Sequence, residues 1–321
     1  RVRLFTGFPW GEAGYAHVDG WARPLAGWIG VHGLSWLAAL VAALLAVCLG
    51  SGLRHRTLTA AGVLLASVEL AFLPAPPAPL LPQPLSLALV QGNIAQDQKF
   101  VPGGGLADAL RYYGDQLQRP QASLTVLPET ALPLLPSQLP PGYWQAVLER
   151  YAQGSQAALI GLPLGDAGQG YSNSALGLKP GADAPYRYDK HHLVPFGEFI
   201  PPLFKWFVRM MNIPLGDFDR GAVGQPSFEW AGQRLAPNIC YEDLFGEELG
   251  ARFADPALAP TIFVNLSNIA WFGHTVAIDQ HLQISRMRAL EFARPMVRAT
   301  NTGATAIIDA QGRVTHALPR H

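Results

Sequence analysis

The longest uninterrupted apolar stretch lies near the start of the chain. Residues 28–53 contain no Asp, Glu, Lys or Arg. A helix of this length can cross a hydrocarbon core, which takes about 20 residues. Trp28 and Trp36 lie toward one end, where indole rings are often found at a membrane interface. A second, shorter run covers residues 58–73 and carries one acid, Glu69. The pattern predicts two transmembrane helices.

Arg54-His55-Arg56 lies between the two runs and is predicted to form a short cytoplasmic turn, because Lys and Arg concentrate in cytoplasmic loops. We therefore expect an extracytoplasmic loop over residues 1–27, two spans with their turn over residues 28–73, and an outward-facing remainder. A buried helical hairpin in a soluble core is the alternative, but uncharged runs as long as the first are rare in such cores.

A proline-rich linker over residues 74–84 follows the apolar runs, and it cannot form a helix or a central strand because Pro lacks the N–H donor. From residue 85, short apolar runs alternate with amphipathic stretches, which indicates an α/β domain over residues 85–321. The predicted strands cover residues 86–91, 124–127, 157–161, 174–178, 235–239, 261–265, 296–299 and 304–309. The predicted helices cover residues 106–118, 143–153, 242–253 and 278–293.

The two chain ends suggest a piece of a longer protein. The chain begins at Arg1 rather than Met, and it ends at His321 soon after a predicted turn at residues 309–312. We therefore expect the α/β domain to be incomplete at its C-terminal end.

The composition and net charge of the chain argue against nucleic-acid binding. Hydrophobic residues make up 49% and charged residues 14% of the 321 residues, against roughly 25% charged residues in soluble domains. Lys+Arg and Asp+Glu both total 23, so the net charge is zero. A neutral chain lacks the basic surface that phosphate neutralisation requires, and we expect no nucleic-acid partner.

Three predicted strands or extended segments end at reactive side chains, which is where α/β domains place catalytic groups. Glu129 follows the strand at 124–127, Lys190 follows the segment at 186–189, and Cys240 follows the strand at 235–239.

Cys240 is the candidate nucleophile, because a helix predicted directly behind it would favour the thiolate. The alternative is a buried cysteine without chemistry. The base is either a histidine or Glu129, whose pKa burial would raise. The available histidines are His191, His192, His274 and His281. Lys190 is suited to stabilise an oxyanion, or else it is a solvated lysine.

No metal or cofactor site is expected. Neither His191-His192 nor any other spacing suits zinc ligands. The glycine run at residues 103–105 lacks the Lys-Ser/Thr of a phosphate-binding loop.

These segments resemble the nitrilase superfamily, and more closely its apolipoprotein N-acyltransferase branch. The resemblance covers almost the whole chain, including the opening FTGFPWGEAGY. Its strings are LALVQGNI from residue 87, PETALP from 128, KHHLVPFGEF from 190, ICYEDLF from 239, SNIAWFG from 267 and the block from Gln280 to Asp309.

The resemblance implies an α/β fold, a four-layer α-β-β-α sandwich preceded by two transmembrane helices. It also implies that Glu129 is the general base, Lys190 the oxyanion-stabilising cation and Cys240 the nucleophile. The supporting residues would be Glu198, Tyr241 and Glu242, with the Tyr241 backbone N–H in the oxyanion hole. The candidates for binding substrate are Phe100, Trp10 and Trp271.

The implied reaction transfers a fatty acyl chain from a membrane phospholipid, through a Cys240 thioester, to the N-terminal amine of a diacylglyceryl-modified apolipoprotein. The enzyme would be a monomer without a cofactor, in the bacterial inner membrane as a multi-pass protein with its catalytic domain on the periplasmic side. A hydrolase of small amides and a non-catalytic membrane-anchored relative remain the alternatives.

Two residues depart from the branch's pattern. Phe100 stands where the branch has Trp, which keeps an aromatic ring and loses its N–H donor. Ile269 replaces an acid in SNIAWFG. The apolar segment at residues 199–211 is either a lid that dips toward lipid or an ordinary buried helix.

Overall fold

The N-terminal part is helical and apolar. A computed structural model describes residues 7–50, 52–72, 83–95, 104–119, 122–166, 168, 170–195, 197–199 and 218–320. Three 3-10 turns, at Pro9–Gly11, Ala13–Val18 and Arg23–Leu25, lead into helices α1 (Ala26–Gly50) and α2 (Leu53–Ala71).

Helix α1 carries the one stretch of the described residues that is long and apolar enough to cross a membrane, at Arg23–Gly50. The helix is broken at Gly30, where φ is +63°, a conformation that glycine adopts without steric cost. The apolar part of α2 is shorter, at Arg56–Ala66, so the second span stays a prediction.

The predicted turn at Arg54-His55-Arg56 is wrong. These three residues lie in the first turn of α2, and the connection from α1 falls at the glycines before them. Gly50 ends α1 and Gly52 directly precedes α2, and glycines are well suited to end a helix because they tolerate conformations that other residues avoid.

Two mixed sheets form the rest of the molecule. The first has the strand order β1 to β5, comprising β1 (Leu87–Leu89), β2 (Leu124–Val126), β3 (Ala157–Asp166), β4 (Gly170–Leu178) and β5 (Tyr186–Asp189). Strands β1, β2 and β3 are parallel, whereas β4 runs antiparallel to β3 and to β5.

The second sheet consists of six strands, β6 (Phe228–Trp230), β7 (Gln233–Ile239), β8 (Ile262–Ser267), β9 (Met296–Thr300), β10 (Ala306–Ile308) and β11 (Val314–Ala317). Their order across the sheet is β11-β10-β9-β8-β7-β6. Strands β7, β8 and β9 are parallel, and the outer pairs are antiparallel.

The layers stack in the order helix, sheet, sheet, helix. Helices α3 (Gly105–Gln118) and α4 (Tyr143–Gln153) cover the first sheet. Helices α5 (Gly246–Gly250) and α6 (Ala277–Phe292) cover the second. The space between the sheets is filled by apolar side chains from both, such as Leu159 and Val264. The predicted four-layer α-β-β-α sandwich is confirmed.

All eight predicted strands coincide with observed ones, and three of the four predicted helices coincide with α3, α4 and α6. The predicted helix at residues 242–253 is wrong. It is divided into a 3-10 turn at Cys240–Leu244, helix α5, and a 3-10 turn at Ala251–Phe253. Glu242 and Asp243 are buried and bind other parts of the chain. Because these acids face the interior, the segment lacks the apolar-inside, polar-outside pattern of one amphipathic helix.

Helix α6 holds α1 against the sandwich. The Val31 N–H, which opens α1 after its break, donates to Glu291 Oε1 at 2.5 Å. The other Glu291 oxygen pairs with Arg288 Nη1 at 2.6 Å, and both side chains are buried. The Glu291 carboxylate therefore accepts a hydrogen bond from the start of α1 and also pairs with a buried guanidinium group.

Replacing Glu291 with Ala should destabilise the protein by about 3 kcal/mol, because it leaves the buried Arg288 charge without its carboxylate partner. Thermal unfolding in detergent measures the change. Glu149→Ala, on the exposed face of α4, should shift stability by less than about 0.5 kcal/mol. Equal stabilities of the two variants would contradict the assigned role of Glu291.

Candidate active site

The first sheet brings two of the predicted residues together. Glu129 lies in the loop directly after β2, and Lys190 directly follows β5. Between these strands, β4 contributes Asn173, whose backbone C=O accepts from the Lys190 N–H at 2.8 Å. Glu198 lies in the loop beyond Lys190. The four side chains meet at one edge of the sheet.

Their polar atoms form a hydrogen-bonded ring, in which Lys190 and Asn173 each donate to one oxygen of Glu129 and one oxygen of Glu198. Lys190 Nζ lies 3.2 Å from Glu129 Oε1 and 2.9 Å from Glu198 Oε1. Asn173 Nδ2 donates to the same two oxygens, at 2.8 Å and 2.7 Å. We call Glu129, Asn173, Lys190 and Glu198 the carboxylate–lysine cluster.

Backbone groups bind the remaining carboxylate oxygens. Glu129 Oε2 accepts from the Asn268 N–H at 2.9 Å, and Glu198 Oε2 accepts from the Val194 N–H at 2.8 Å. Each carboxylate is thus held at both oxygens, which fixes its orientation.

Lys190 remains charged in this cluster although only 1% of the residue is exposed. Burial acts to lower its pKa, but the carboxylates of Glu129 and Glu198 outweigh that effect and hold the pKa of Lys190 above its ordinary value. The alternative interpretation of Lys190 as a solvated loop lysine is therefore wrong.

Cys240 lies at the end of β7 with φ at +54°, a left-handed conformation that is unusual for a residue other than glycine. Burial, followed by the charge of Glu129, raises the pKa of its thiol, and Lys190 opposes this only in part. The expected thiolate at a helix N-terminus is wrong, because the segment behind Cys240 is a short 3-10 turn and the thiol is desolvated. A base must remove its proton.

The rings of the candidate histidines contact groups other than the Cys240 thiol. His191 Nδ1 lies 2.6 Å from the Gly221 carbonyl oxygen, and His192 Nδ1 lies 2.9 Å from Glu248. His281 Nε2 contacts the backbone carbonyl of Cys240, at 3.3 Å. His274 is exposed. These contacts favour Glu129 over a histidine as the base.

Glu242 connects the Lys190 loop to the Cys240 turn. Its two oxygens accept from the backbone N–H groups of His191, His192 and Ile239 at 2.7, 3.1 and 2.6 Å, and from the Tyr188 hydroxyl at 2.8 Å. Burial raises the pKa of Glu242, and the donors offset only a part of this rise. The predicted supporting residue is thus a structural connection between the two loops.

Aromatic rings stand beside the nucleophile. Trp10 stacks on Phe8 with 5.8 Å between ring centroids, and Phe8 stacks on Tyr241 at 5.9 Å. Phe272 lies 5.8 Å from Trp10, and both phenylalanines are exposed. The Tyr241 hydroxyl donates to the Gly7 carbonyl at 2.7 Å. Phe8, Trp10 and Phe272 form what we call the aromatic patch.

Some predicted residues lie outside the described part of the chain. Phe100 and residues 200–211 of the predicted lid are among them, as is the side chain of Trp271, whose backbone lies in the 3-10 turn Ala270–Phe272. Ile269, which replaces an acid, is buried in a small apolar cluster with Ile278 and Ala304. Among the described residues, no group of three His, Cys, Asp or Glu is placed to hold a metal ion.

Sequence analysis missed Asn173 and Asn268. Asn173 contacts Glu129 through its side-chain amide, and Asn268 does so through its backbone N–H, both from positions far along the chain. The signal that was available for Asn173 is an asparagine next to an apolar strand, because a buried amide needs polar partners. Asn268 lies in the string SNIAWFG, but a contact through the backbone leaves no signal in the residue type.

Residues 86–321 match the family model described as carbon-nitrogen hydrolase, and the chain belongs to that family. Within it, the chain is similar over its whole length to proteins named apolipoprotein N-acyltransferase. Residues 1–44 also match the model of the apolipoprotein N-acyltransferase N-terminal domain.

Two such relatives come from Verminephrobacter eiseniae and Bordetella bronchiseptica. The identities are 62% and 48%, over 100% and 99% of this chain. The chain spans 62% and 63% of the lengths of these relatives.

Solved structures share the fold. A CN-hydrolase superfamily protein from Xanthomonas campestris superposes with a TM-score of 0.55 at 20% identity, covering 74% of this chain and 87% of its own. An amidase from Nesterenkonia gives a TM-score of 0.53 at 17% identity, covering 74% and 90%.

Replacing Glu129 with Gln should lower the pKa of the Cys240 thiol, because the carboxylate charge raises it. At a fixed pH of about 8, alkylation of Cys240 by iodoacetamide should therefore become faster, because a larger fraction of the thiol is ionised. Glu149→Gln, at an exposed position of α4, is the control and should leave the rate unchanged. A slower alkylation for Glu129→Gln, or an unchanged one, would contradict the coupling.

Replacing Asn173 with Asp would place a third carboxylate against Glu129 and Glu198, which raises the pKa of the new group above its unfolded value. A group with a raised folded pKa stabilises the protein at low pH and loses that contribution as pH rises. The melting temperature of the variant, relative to the parent, should therefore fall as the pH rises above the ordinary pKa of aspartate, about 3.9. Gln153→Glu, on the exposed surface of α4, should show no such trend. A constant difference would exclude the shared-donor role of Asn173.

Proposed function

We propose that this chain is the catalytic part of an apolipoprotein N-acyltransferase. It would transfer a fatty acyl chain from a phospholipid to the N-terminal amine of a diacylglyceryl-modified apolipoprotein, in a ping-pong reaction with Glu129, Lys190 and Cys240 as the catalytic triad. The observation that carries the proposal is the buried carboxylate–lysine cluster, whose charges act on the thiol of Cys240. The full-length similarity to proteins of that name supports the choice of substrates.

In the first half-reaction, Cys240 Sγ attacks the ester carbonyl carbon of the phospholipid while Glu129 takes the thiol proton. The raised pKa of the thiol requires such a base. The negative charge that develops on the carbonyl oxygen is stabilised by Lys190 and by the Tyr241 backbone N–H. The carbon–oxygen bond then breaks, the lysophospholipid oxygen takes the proton from Glu129, and the acyl chain remains on Cys240 as a thioester.

Lys190 is suited to this role because an ammonium group has three N–H donors, of which two point to Glu129 and Glu198. The third can bind the oxyanion without movement of the side chain. Glu198 and Asn173 position Lys190 and Glu129 rather than react.

In the second half-reaction, the apolipoprotein amine attacks the thioester carbonyl carbon, and Glu129 takes a proton from the amine. The carbon–sulfur bond breaks, the amide forms, and the Cys240 sulfur recovers its proton from Glu129. A desolvated site limits the competing attack by water.

Both proposed substrates carry acyl chains, and the surface beside Cys240 suits them. The aromatic patch offers exposed rings next to Tyr241, and α6 joins the sandwich to the apolar helix α1. Phe100, Trp10 and Trp271 remain the candidates for substrate binding. The chain would act as a monomer in the bacterial inner membrane, with two spans here, further spans in the whole protein, and the catalytic domain on the periplasmic side.

A small-amide hydrolase with the same triad is the second candidate, because the sandwich is also that of the Nesterenkonia amidase. That enzyme class would release its acyl product to water. The apolar helix packed against the catalytic domain favours transfer between lipids.

Mass spectrometry of Cys240 tests the proposal. The chain is incubated in detergent with mixed micelles of phosphatidylethanolamine and phosphatidylglycerol, and a thioester-linked acyl chain is expected on Cys240. A diacylglyceryl-cysteine peptide should then discharge it as an amide. Cys240→Ala should abolish both products, and Cys48→Ala should leave them unchanged.

Acylation of Cys240→Ala would exclude Cys240 as the nucleophile. Release of free fatty acid at the same rate with and without the peptide would favour the hydrolase.

A further inference from the structure

A second set of buried polar groups lies behind the nucleophile, outside the carboxylate–lysine cluster. It consists of Asp243, His281, Ser285 and Arg298, all with 0% exposure. Asp243 Oδ1 lies 3.0 Å from His281 Nε2, and Asp243 Oδ2 lies 3.3 Å from Arg298 Nη1. The Ser285 hydroxyl contacts both Asp243 and Arg298. The proposed acyl transfer assigns no role to these groups.

The contacts fix the protonation of the imidazole ring. Arg298 Nη2 lies 3.1 Å from His281 Nδ1, and because a guanidinium group only donates hydrogen bonds, Nδ1 must be the acceptor. The ring proton therefore resides on Nε2. Burial opposes the charge of Asp243, but the His281 ring, Arg298 and Ser285 outweigh burial and hold the pKa of Asp243 below its ordinary value. Asp243 is the anion that orients the ring.

The Nε2–H group is shared between Asp243 Oδ1 and the backbone carbonyl oxygen of Cys240, as a three-centre hydrogen bond. His281 Nε2 lies 3.3 Å from the Cys240 carbonyl oxygen. Asn265 Nδ2 donates to the same oxygen at 3.0 Å and is itself held by Asn238 at 2.7 Å. Two side chains from different elements, α6 and β8, thus bind one carbonyl group of a residue with positive φ.

The Cys240 carbonyl belongs to the peptide group that carries the Tyr241 N–H. A trans peptide is planar, so the N–H points away from the C=O of the same group. Fixing the direction of the Cys240 carbonyl therefore fixes the direction of the Tyr241 N–H. Donors to the carbonyl also polarise the peptide group and strengthen its N–H as a donor.

We propose that His281, oriented by Asp243 and Arg298, is a positioning residue for the oxyanion hole, because it holds the Cys240–Tyr241 peptide with its N–H directed at the developing oxyanion. Asn265 holds the same carbonyl from the other element. This role rests on the proposed acyl transfer for its natural substrate, but it applies to any attack of Cys240 on an ester.

The test compares two reactions of Cys240. Acylation by a soluble p-nitrophenyl ester passes through an oxyanion, whereas alkylation by iodoacetamide displaces iodide at a saturated carbon and forms none. His281→Leu removes the donor, His281→Gln returns an amide N–H near the position of Nε2, and His281→Asn is too short to reach it. All are measured with the chain in detergent.

His281→Leu and His281→Asn should acylate at least about 10-fold more slowly, with KM within about 2-fold of the parent, since loss of an oxyanion donor costs about 100- to 1000-fold in kcat. His281→Gln should recover most of the rate. Alkylation should stay within about 2-fold in every variant. Leu117→Ala, in the core under the other sheet, should change neither reaction and controls for general loosening.

Acylation of His281→Leu and His281→Asn at the parent rate would overturn the proposal, as would an equal fall in alkylation and acylation. Both reactions of His281→Asn and His281→Gln remain informative if His281→Leu does not fold. If the unsubstituted chain reacts with the p-nitrophenyl ester but not with the phospholipid micelles, the proposed substrate is refuted. The role of His281 is then decided by the p-nitrophenyl ester reaction alone.

Discussion

The site depends on the burial of one ammonium group between two carboxylates. Lys190, Glu129 and Glu198 together carry one net negative charge away from water, and a buried charge without compensation costs several kcal/mol. The compensation comes from the Asn173 amide and from the backbone N–H groups of Asn268 and Val194. Strands β2, β4 and β5 and the loops that follow β5 and β8 must all be in place for the cluster to form.

Burial, together with the charge of Glu129, also favours the protonated form of the Cys240 thiol. A thiolate at Cys240 would add a second negative charge to a desolvated region, so the proton stays on sulfur until an electrophile arrives. In the proposed mechanism, the resting site is therefore a neutral thiol beside the base Glu129, and charge separates only as the bond to carbon forms. That mechanism makes the reactivity of Cys240 depend on a proton acceptor and an oxyanion hole more than on a lowered thiol pKa.

The sequence predicts the layers of the sandwich and the three residues that follow β2, β5 and β7, because periodicity and strand ends are local signals. The partners of those residues could not be predicted the same way. Asn173, Asn268 and His281 act through contacts between segments that are distant in the chain. The helix predicted at residues 242–253 was wrong for a related reason, because Glu242 and Asp243 are used for such contacts.

Helix α6 connects the apolar helix α1 to the backbone around Cys240. His281, Ser285 and Arg288 follow one another at spacings of four and three residues, so they lie along one stripe of the helix. The first two contact the groups behind Cys240, and Arg288 pairs with Glu291, which binds the opening of α1 after Gly30. One helix therefore contacts both the Cys240–Tyr241 peptide and the opening of α1, so the same rigid element sets the position of each. In the proposed acyl transfer, this arrangement fixes the position of Cys240 relative to the apolar helix α1.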